Sequence, residues 1–305
     1  MRTISKLSGL IGETPLYEIT SYPLREGVRL FAKLEFMNIG GSIKDRLGFY
    51  LLQQAVANHK VKKGDTIIEA TAGNTGIGLA LAAIHYQLDV IFVTPEKFSV
   101  EKQTLMRALG AKVINTPTEL GMKQAIQVAE EMKQQIPRSY IPNQFANDWN
   151  PDTYYHTLGP EIWKDIDGQI DIFVAGAGSG GTFAGTARYL KEQNPQIKTM
   201  IVEPEGSILG GGKQQPYRTE GIGMEFLPDF MDERFFDEIY TIPDEQAFHR
   251  LQEIAKQEGL LVGSSSGAAL EAAIQVAQQA KPGTNIVTIF PDSSERYLST
   301  GIYEE

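Results

Sequence analysis

A chain of 305 residues, 42% hydrophobic and 22% charged, has the composition of a soluble globular protein of one large or two ordinary domains. Its net charge of -10 argues against nucleic acid or an anionic membrane surface as a partner, so any bound anion has to be held by local backbone dipoles. Cysteine is absent, which excludes disulfides, thiolate metal sites and a cysteine nucleophile. The four histidines (His59, His85, His156 and His249) show no metal-ligand spacing, so no metal site is expected. No run approaches the ~20 apolar residues of a membrane span, Met1-Arg2-Thr3 leads into no signal-peptide core, and the cytoplasm is the expected compartment.

Gly12-Glu13-Thr14-Pro15-Leu16 reads as a turn into an extended segment, and residues 28–35 as a strand. Asn38-Ile39-Gly40-Gly41-Ser42-Ile43-Lys44-Asp45-Arg46 then opens a helix, with Ser42 in the N-cap role and Asp45 in the first turn. A lysine at a helix start faces fixed positive partial charge, which lowers its pKa and suits an amine nucleophile. The same residues also fit a surface lysine beside an Asp–Arg pair. From here short apolar strands alternate with helices. Strands are expected at 66–69, 89–93, 112–114 and 139–141, with helices near 75–87, 100–109 and 119–135. After a polar stretch at 145–160 the pattern resumes, with strands at 170–174, 199–202, 238–241 and 285–289. Helices near 181–193, 243–258 and 266–280 accompany them. Near-continuous apolar strands between amphipathic helices imply parallel sheets covered on both faces, an α/β fold of two doubly wound units with sites at the carboxyl ends of strands.

Glycine- and hydroxyl-rich loops follow three of these strands. Thr71-Ala72-Gly73-Asn74-Thr75-Gly76-Ile77-Gly78 suits a small carboxylate at a helix N-terminus, or simply a tight turn with close helix–sheet contact. Gly176-Ala177-Gly178-Ser179-Gly180-Gly181-Thr182 suits a phosphate. It also satisfies G-x-G-x-x-G, and Glu203 closes the next strand where a ribose-binding acid belongs, so a nicotinamide-dependent oxidoreductase is an alternative. In Gly263-Ser264-Ser265-Ser266-Gly267, Ser266 reads as an N-cap and Ser265 as a hydroxyl over the sheet ends.

In this order, behind Gly41-Ser42-Ile43-Lys44-Asp45-Arg46, the loops resemble the pyridoxal-phosphate enzymes of the cysteine synthase and cystathionine β-synthase family. The likeness runs from Gly12-Glu13-Thr14-Pro15-Leu16 to Pro291-Asp292-Ser293-Ser294-Glu295-Arg296-Tyr297. It implies a tryptophan-synthase-β-like architecture and a homodimer. A larger cofactor-binding domain would comprise 1–39 plus 146–305, and a smaller mobile domain 40–145. By resemblance, Lys44 is the Schiff-base lysine and catalytic base, and Gly178, Ser179, Gly180, Gly181 and Thr182 hold the cofactor phosphate. Asn74 meets the ring hydroxyl and Ser265 the pyridine nitrogen. Thr71, Ala72, Gly73 and Thr75 clamp the substrate carboxylate with Gln144, and Gly221-Ile222-Gly223 line the entry. The implied reaction is β-replacement on a small amino acid through an aminoacrylate intermediate.

Two departures from the family pattern bear on the substrates. Ala72 stands where the family usually has Ser, a loss of one donor worth on the order of 1 kcal/mol. Met224-Glu225 after Gly-Ile-Gly resembles the cystathionine-forming members, with Glu225 placed to pair with the amino group of homocysteine. The expectation is therefore cystathionine synthesis from O-acetylserine or serine and homocysteine. Cysteine synthesis from O-acetylserine and sulfide is the alternative.

Overall fold

The short apolar runs build two separate sheets. In chain order the strands and helices are β1 (Leu16–Ile19), β2 (Arg29–Leu34), α1 (Lys44–Ala57), β3 (Thr66–Ala70), α2 (Asn74–Tyr86), β4 (Asp89–Pro95), α3 (Val100–Ala108), β5 (Lys112–Thr116), α4 (Gly121–Gln135) and β6 (Ser139–Tyr140). There follow α5 (Trp149–His156), α6 (Leu158–Asp165), β7 (Ile172–Gly176), α7 (Gly181–Gln193), β8 (Lys198–Pro204), β9 (Glu238–Ile242), α8 (Asp244–Glu258), α9 (Ser264–Gln279) and β10 (Asn285–Phe290). This computed structural model describes residues 3–71, 73–96 and 98–304. Among them no helix is long and apolar enough to cross a membrane.

The chain divides into two units, Met1–Gly12 with Asn38–Trp149 and Glu13–Met37 with Asn150–Glu305. The expected division at 40 and 146 differs from this mainly at the amino end, which falls with the smaller unit. There the Gly12 N–H donates to Oδ1 of Asn38 (2.8 Å).

In the smaller unit the sheet order is β5-β4-β3-β6, all parallel. Ile68, Ala70 and Val93 of β3 and β4 pack on Ala125 and Ala129 of α4. Helices α1 and α2 cross backbone to backbone: a Cβ on Gly78 would lie 2.1 Å from the Lys44 carbonyl oxygen, and one on Gly48 2.2 Å from the Gly78 carbonyl carbon. Only glycine permits that approach.

The larger unit has the order β1-β2-β10-β7-β8-β9, parallel except for the antiparallel edge strand β1. Its core centres on α9, whose Ala268, Leu270, Ala272 and Ala273 are buried with Leu30, Val174, Val202 and Ile286 of the sheet. The alanine richness of this helix follows from that burial, because small side chains let it lie close to the strands.

Two helices, α5 and α6, occupy the stretch that reads in sequence as a polar connection. Pro151 and Pro160 fall in their first turns, where a missing N–H costs nothing. Glu161 and Asp165 of α6 face the fully buried Lys33, whose Nζ lies 3.3 Å and 2.6 Å from their carboxylates. Glu161 and Asp165, just past the polar stretch, therefore pair with an interior cation, while Asp152 within it pairs with Arg188 (2.9 Å).

Candidate functional site

In the smaller unit, three strand-end or helix-start segments meet. Lys44 is the first residue of α1 and is half-buried. Ile43, not Ser42, occupies the N-cap position and supplies no side-chain cap. The buried Ser42 hydroxyl instead accepts from the Lys44 N–H (3.2 Å), one residue into the helix. Asp45 and Arg46 are buried rather than solvated, and Asp45 accepts from the Gly40 N–H (2.6 Å). Asp45 and Arg46 are thus interior groups rather than a surface pair, while Lys44 keeps partial exposure. What fixes the lysine is a polar turn folded back on its own helix start, together with the contact between its carbonyl and Gly78.

The loop after β3 runs into α2 at Asn74. Thr71 donates its N–H to the Val93 carbonyl (3.0 Å) and accepts from the Gly73 N–H on its hydroxyl (3.3 Å). Gly73 is the N-cap of α2 and no side chain caps the helix, which is the kind of helix start that an anion site uses. The Thr75 hydroxyl donates to Oε1 of Gln144 (2.8 Å). Thr71 is thereby tied to Gly73, and Thr75 to Gln144, at the start of α2, where Asn74 is the first helical residue; Ala72 lies outside the described residues.

Glu69, at the end of β3, escaped sequence reasoning. Its carboxylate accepts from the N–H groups of Asn143 (2.9 Å) and Gln144 (3.2 Å). Burial pushes it up to about 7, against the pull of those two donors. The signal available in sequence was an acid inside an apolar strand, Ile67-Ile68-Glu69-Ala70.

In the larger unit the loop after β7 forms a cradle at the start of α7. Gly180, at φ +85°, is the N-cap, and no side chain caps the helix. Asn150 donates from Nδ2 to the Ser179 hydroxyl (3.1 Å), and a Cβ on Gly181 would lie 1.9 Å from its Oδ1. Asn150 thus shapes this loop, a second residue that sequence reasoning missed; nothing in its neighbourhood in sequence marks it. The Gly223 N–H donates to the Ala177 carbonyl (2.8 Å), and the same segment passes Ser265 at Gly221.

Helix α9 begins at Ser264, so Ser266 sits within its first turn, buried, and is not the cap. The Ser264 hydroxyl accepts from the Glu220 N–H (3.0 Å), tying this helix start to the 221–223 loop. Ser265 is buried in the same turn. Met224 is buried, with its N–H donated to the Ser207 hydroxyl (2.9 Å), whereas Glu225 is exposed. Glu225 charge reaches Tyr217, whose half-buried hydroxyl is raised first by desolvation and then by that carboxylate.

Glu203 settles the nicotinamide alternative. It is fully buried and accepts from the N–H groups of Leu209 (2.9 Å) and Gly210 (2.8 Å) and from the Thr241 hydroxyl (2.9 Å). Its carboxylate is committed to holding the next loop and is not available to a ribose.

Comparison with known proteins agrees with this geometry. The family model described as pyridoxal-phosphate dependent enzyme matches residues 7–292. An O-acetylserine dependent cystathionine beta-synthase of Bacillus subtilis (strain 168) is 60% identical, covering 100% of this chain and 99% of its own. A cysteine synthase of Helicobacter pylori (strain ATCC 700392 / 26695) is 53% identical over 99% of this chain and 100% of its own. The crystal structure of an O-acetylserine dependent cystathionine beta-synthase from Helicobacter pylori superimposes with a TM-score of 0.96, at 53% identity, over 99% of this chain and all of that one. With a family model matching most of its length and full-length relatives at 53–60% identity, the chain belongs to the pyridoxal-phosphate dependent enzyme family.

Proposed function

We propose that this enzyme makes cystathionine, replacing the β-substituent of O-acetylserine, or of serine, with the thiol of homocysteine. The observation that carries the choice of thiol is Glu225, an exposed carboxylate directly after the buried Met224 and two residues past Gly223. An amino acid with a free ammonium group gains from that charge and sulfide does not. The relative named for O-acetylserine dependent cystathionine synthesis, at 60% identity over the whole chain, supports the same reading.

The residues fit pyridoxal phosphate. The cradle from Gly178 to Thr182 has uncapped N–H groups at a thirteen-residue helix, two hydroxyl side chains and no Cβ at its glycines, which suits a dianionic phosphate. Ser265 would face the pyridine nitrogen, Asn74 the ring hydroxyl, and Lys44 would hold the cofactor covalently through Nζ. When bound, the cofactor supplies an electron-withdrawing ring that acidifies the α-proton of an attached amino acid.

The chain does the rest. Lys44 Nζ would take the α-proton of the bound amino acid as general base. A neutral Ser265 would leave the ring nitrogen less positively charged than an aspartate would, which would favour loss of the β-substituent. Thr71, Gly73 and Thr75 would orient the substrate carboxylate at the start of α2. Gln144 meets that carboxylate through its Nε2 hydrogens, because Oε1 accepts from Thr75. Gly223, packed against Tyr217 and Pro204, would lie beside the incoming thiol, and Glu225 would receive its ammonium group. A cytoplasmic homodimer of two mobile-domain subunits completes this reading; the resemblance supports the pairing, and a chain with no cysteine needs no oxidising compartment.

The test is steady-state kinetics on the holoenzyme with O-acetylserine as first substrate and homocysteine or sulfide as second. A higher kcat/KM for homocysteine is expected. A large preference for sulfide would make the enzyme a cysteine synthase.

A further inference from the structure

Glu69 is an acid that the proposed chemistry does not use. It is 2% exposed at the end of β3, and its two oxygens accept from consecutive backbone N–H groups, Asn143 on Oε2 and Gln144 on Oε1. Asn143 stands at φ +52°, a left-handed conformation that a non-glycine residue holds only when its surroundings impose it. Both N–H groups of the bend converge on that one side chain. Gln144 then carries the constraint onward, through Oε1 to the Thr75 hydroxyl at the start of α2.

We propose that Glu69 is a positioning residue for amino-acid binding: its ionised carboxylate fixes the Asn143–Gln144 bend, and through Gln144 it sets the donors that receive the substrate carboxylate. This rests on the reading above, in which Thr75 and Gln144 hold that carboxylate. A protonated Glu69 has one good acceptor oxygen for two donors, so the bend loosens when it takes a proton.

The environment lets this group titrate in the working range. Burial raises it to about 7, and Glu130 of α4 adds to the rise while the two N–H groups oppose it. The other titratable group facing it is Tyr140 of β6, itself raised by burial. A recess of about 30 Å³ lined by Glu69, Ile126, Glu130, Ile141, Asn143 and Phe145 is large enough for a water, and so gives protons a route to the carboxyl. Glu130 is exposed at this recess.

The decisive experiment measures KM for O-acetylserine on the wild-type and Glu69→Gln holoenzymes from pH 6 to pH 8. It is paired with amide hydrogen exchange of the peptide spanning 141–146. In the wild type, KM should climb several-fold as pH falls through about 7, with a smaller change in kcat. Glu69→Gln should show the raised KM throughout, without that limb, and at least about tenfold faster exchange in 141–146 but not in 172–176. A wild-type KM that is flat over this range, or a variant that follows the wild-type profile with unchanged exchange, overturns the proposal. A wild type that does not consume O-acetylserine or serine overturns the functional reading instead, and the exchange data still judge the hold of Glu69 on the bend.

Discussion

The Thr75 hydroxyl donates to Oε1 of Gln144 over 2.8 Å, joining the first turn of α2 to the segment that follows β6. Both side chains are buried, so neither has water as a replacement partner. Thr75→Val keeps the volume and removes the donor, which leaves a buried amide oxygen unsatisfied at about 1–3 kcal/mol. KM for the first amino acid should rise roughly five- to hundredfold, and the melting temperature of the substrate-free enzyme should fall by a few degrees. Initial-rate kinetics against O-acetylserine check this; an unchanged KM would remove Thr75 from the substrate loop.

Lys44→Ala should abolish turnover, by at least ~10³-fold, because it deletes both the covalent anchor and the base. The circular dichroism spectrum should match the wild type, since the helix start is held by Ser42, Asp45 and the Gly78 contact rather than by the lysine side chain. Borohydride reduction of the wild-type holoenzyme followed by peptide mapping should place the label on Lys44. Label on another lysine would refute the assignment.

Gly181→Ala places a methyl group 1.9 Å from Oδ1 of Asn150. Either the cradle or Asn150 has to move, and the phosphate site deforms in both cases. The dissociation constant for pyridoxal phosphate should rise by about tenfold or more, roughly 1.4 kcal/mol. Titration of the cofactor-free protein, followed by absorbance, gives the number.

Glu225→Gln removes a charge from an exposed loop position and should leave stability unchanged within about 0.5 kcal/mol. Its effect should fall on the second substrate alone. KM for homocysteine is expected to rise about two- to fivefold, an effect that shrinks at high salt, with rates toward sulfide unaltered. Equal effects on both thiols would mean that Glu225 does not read the ammonium group.

Glu69 also makes a prediction about stability. Its folded value of about 7 lies above the ordinary 4.3 of an unfolded glutamate. Between those two values the folded chain holds a proton that the unfolded chain has released. This group's contribution to stability therefore falls as pH rises through that window, by on the order of 3 kcal/mol in all. Relative to Glu69→Gln, the wild type should lose urea resistance between pH 4.5 and pH 7.5; parallel midpoints for the two proteins would contradict the shift.

Much of the fold was legible because the strands are buried on both faces and therefore read as uninterrupted apolar runs. Thr66–Ala70, Asp89–Pro95 and Asn285–Phe290 all fall where such runs lie. Strand order was not legible: β10, the last strand, lies between β2 and β7, an arrangement that long-range packing decides. Helices α5 and α6 were hidden because the stretch at 145–160, rich in Asn, Asp and Tyr, reads as a polar connection, and only their partners, Arg188 for Asp152 and the buried Lys33 for Glu161 and Asp165, show what the acids are for. The site loops were visible as glycine and hydroxyl clusters at strand ends. Glu203 and Glu69 show the limit of that method. One acid at a strand end appeared functional and holds a loop; the other drew no notice and orders the Gln144 bend. Position along the chain is the same kind of information for both, and only their partners tell them apart.

The crossing of α1 and α2 has a bearing on how this enzyme tolerates mutation. Gly48 and Gly78 carry no chemistry, yet they set how far apart Lys44 and Asn74 begin their helices. A methyl group at either position wedges the two helix starts apart while leaving most of the interior untouched. In a saturation screen scored by growth, these two glycines should rank with the lysine itself. Their variants would accumulate as folded protein with a poorly seated cofactor, so added pyridoxal phosphate would restore part of their function, whereas no supplement replaces the amine of Lys44.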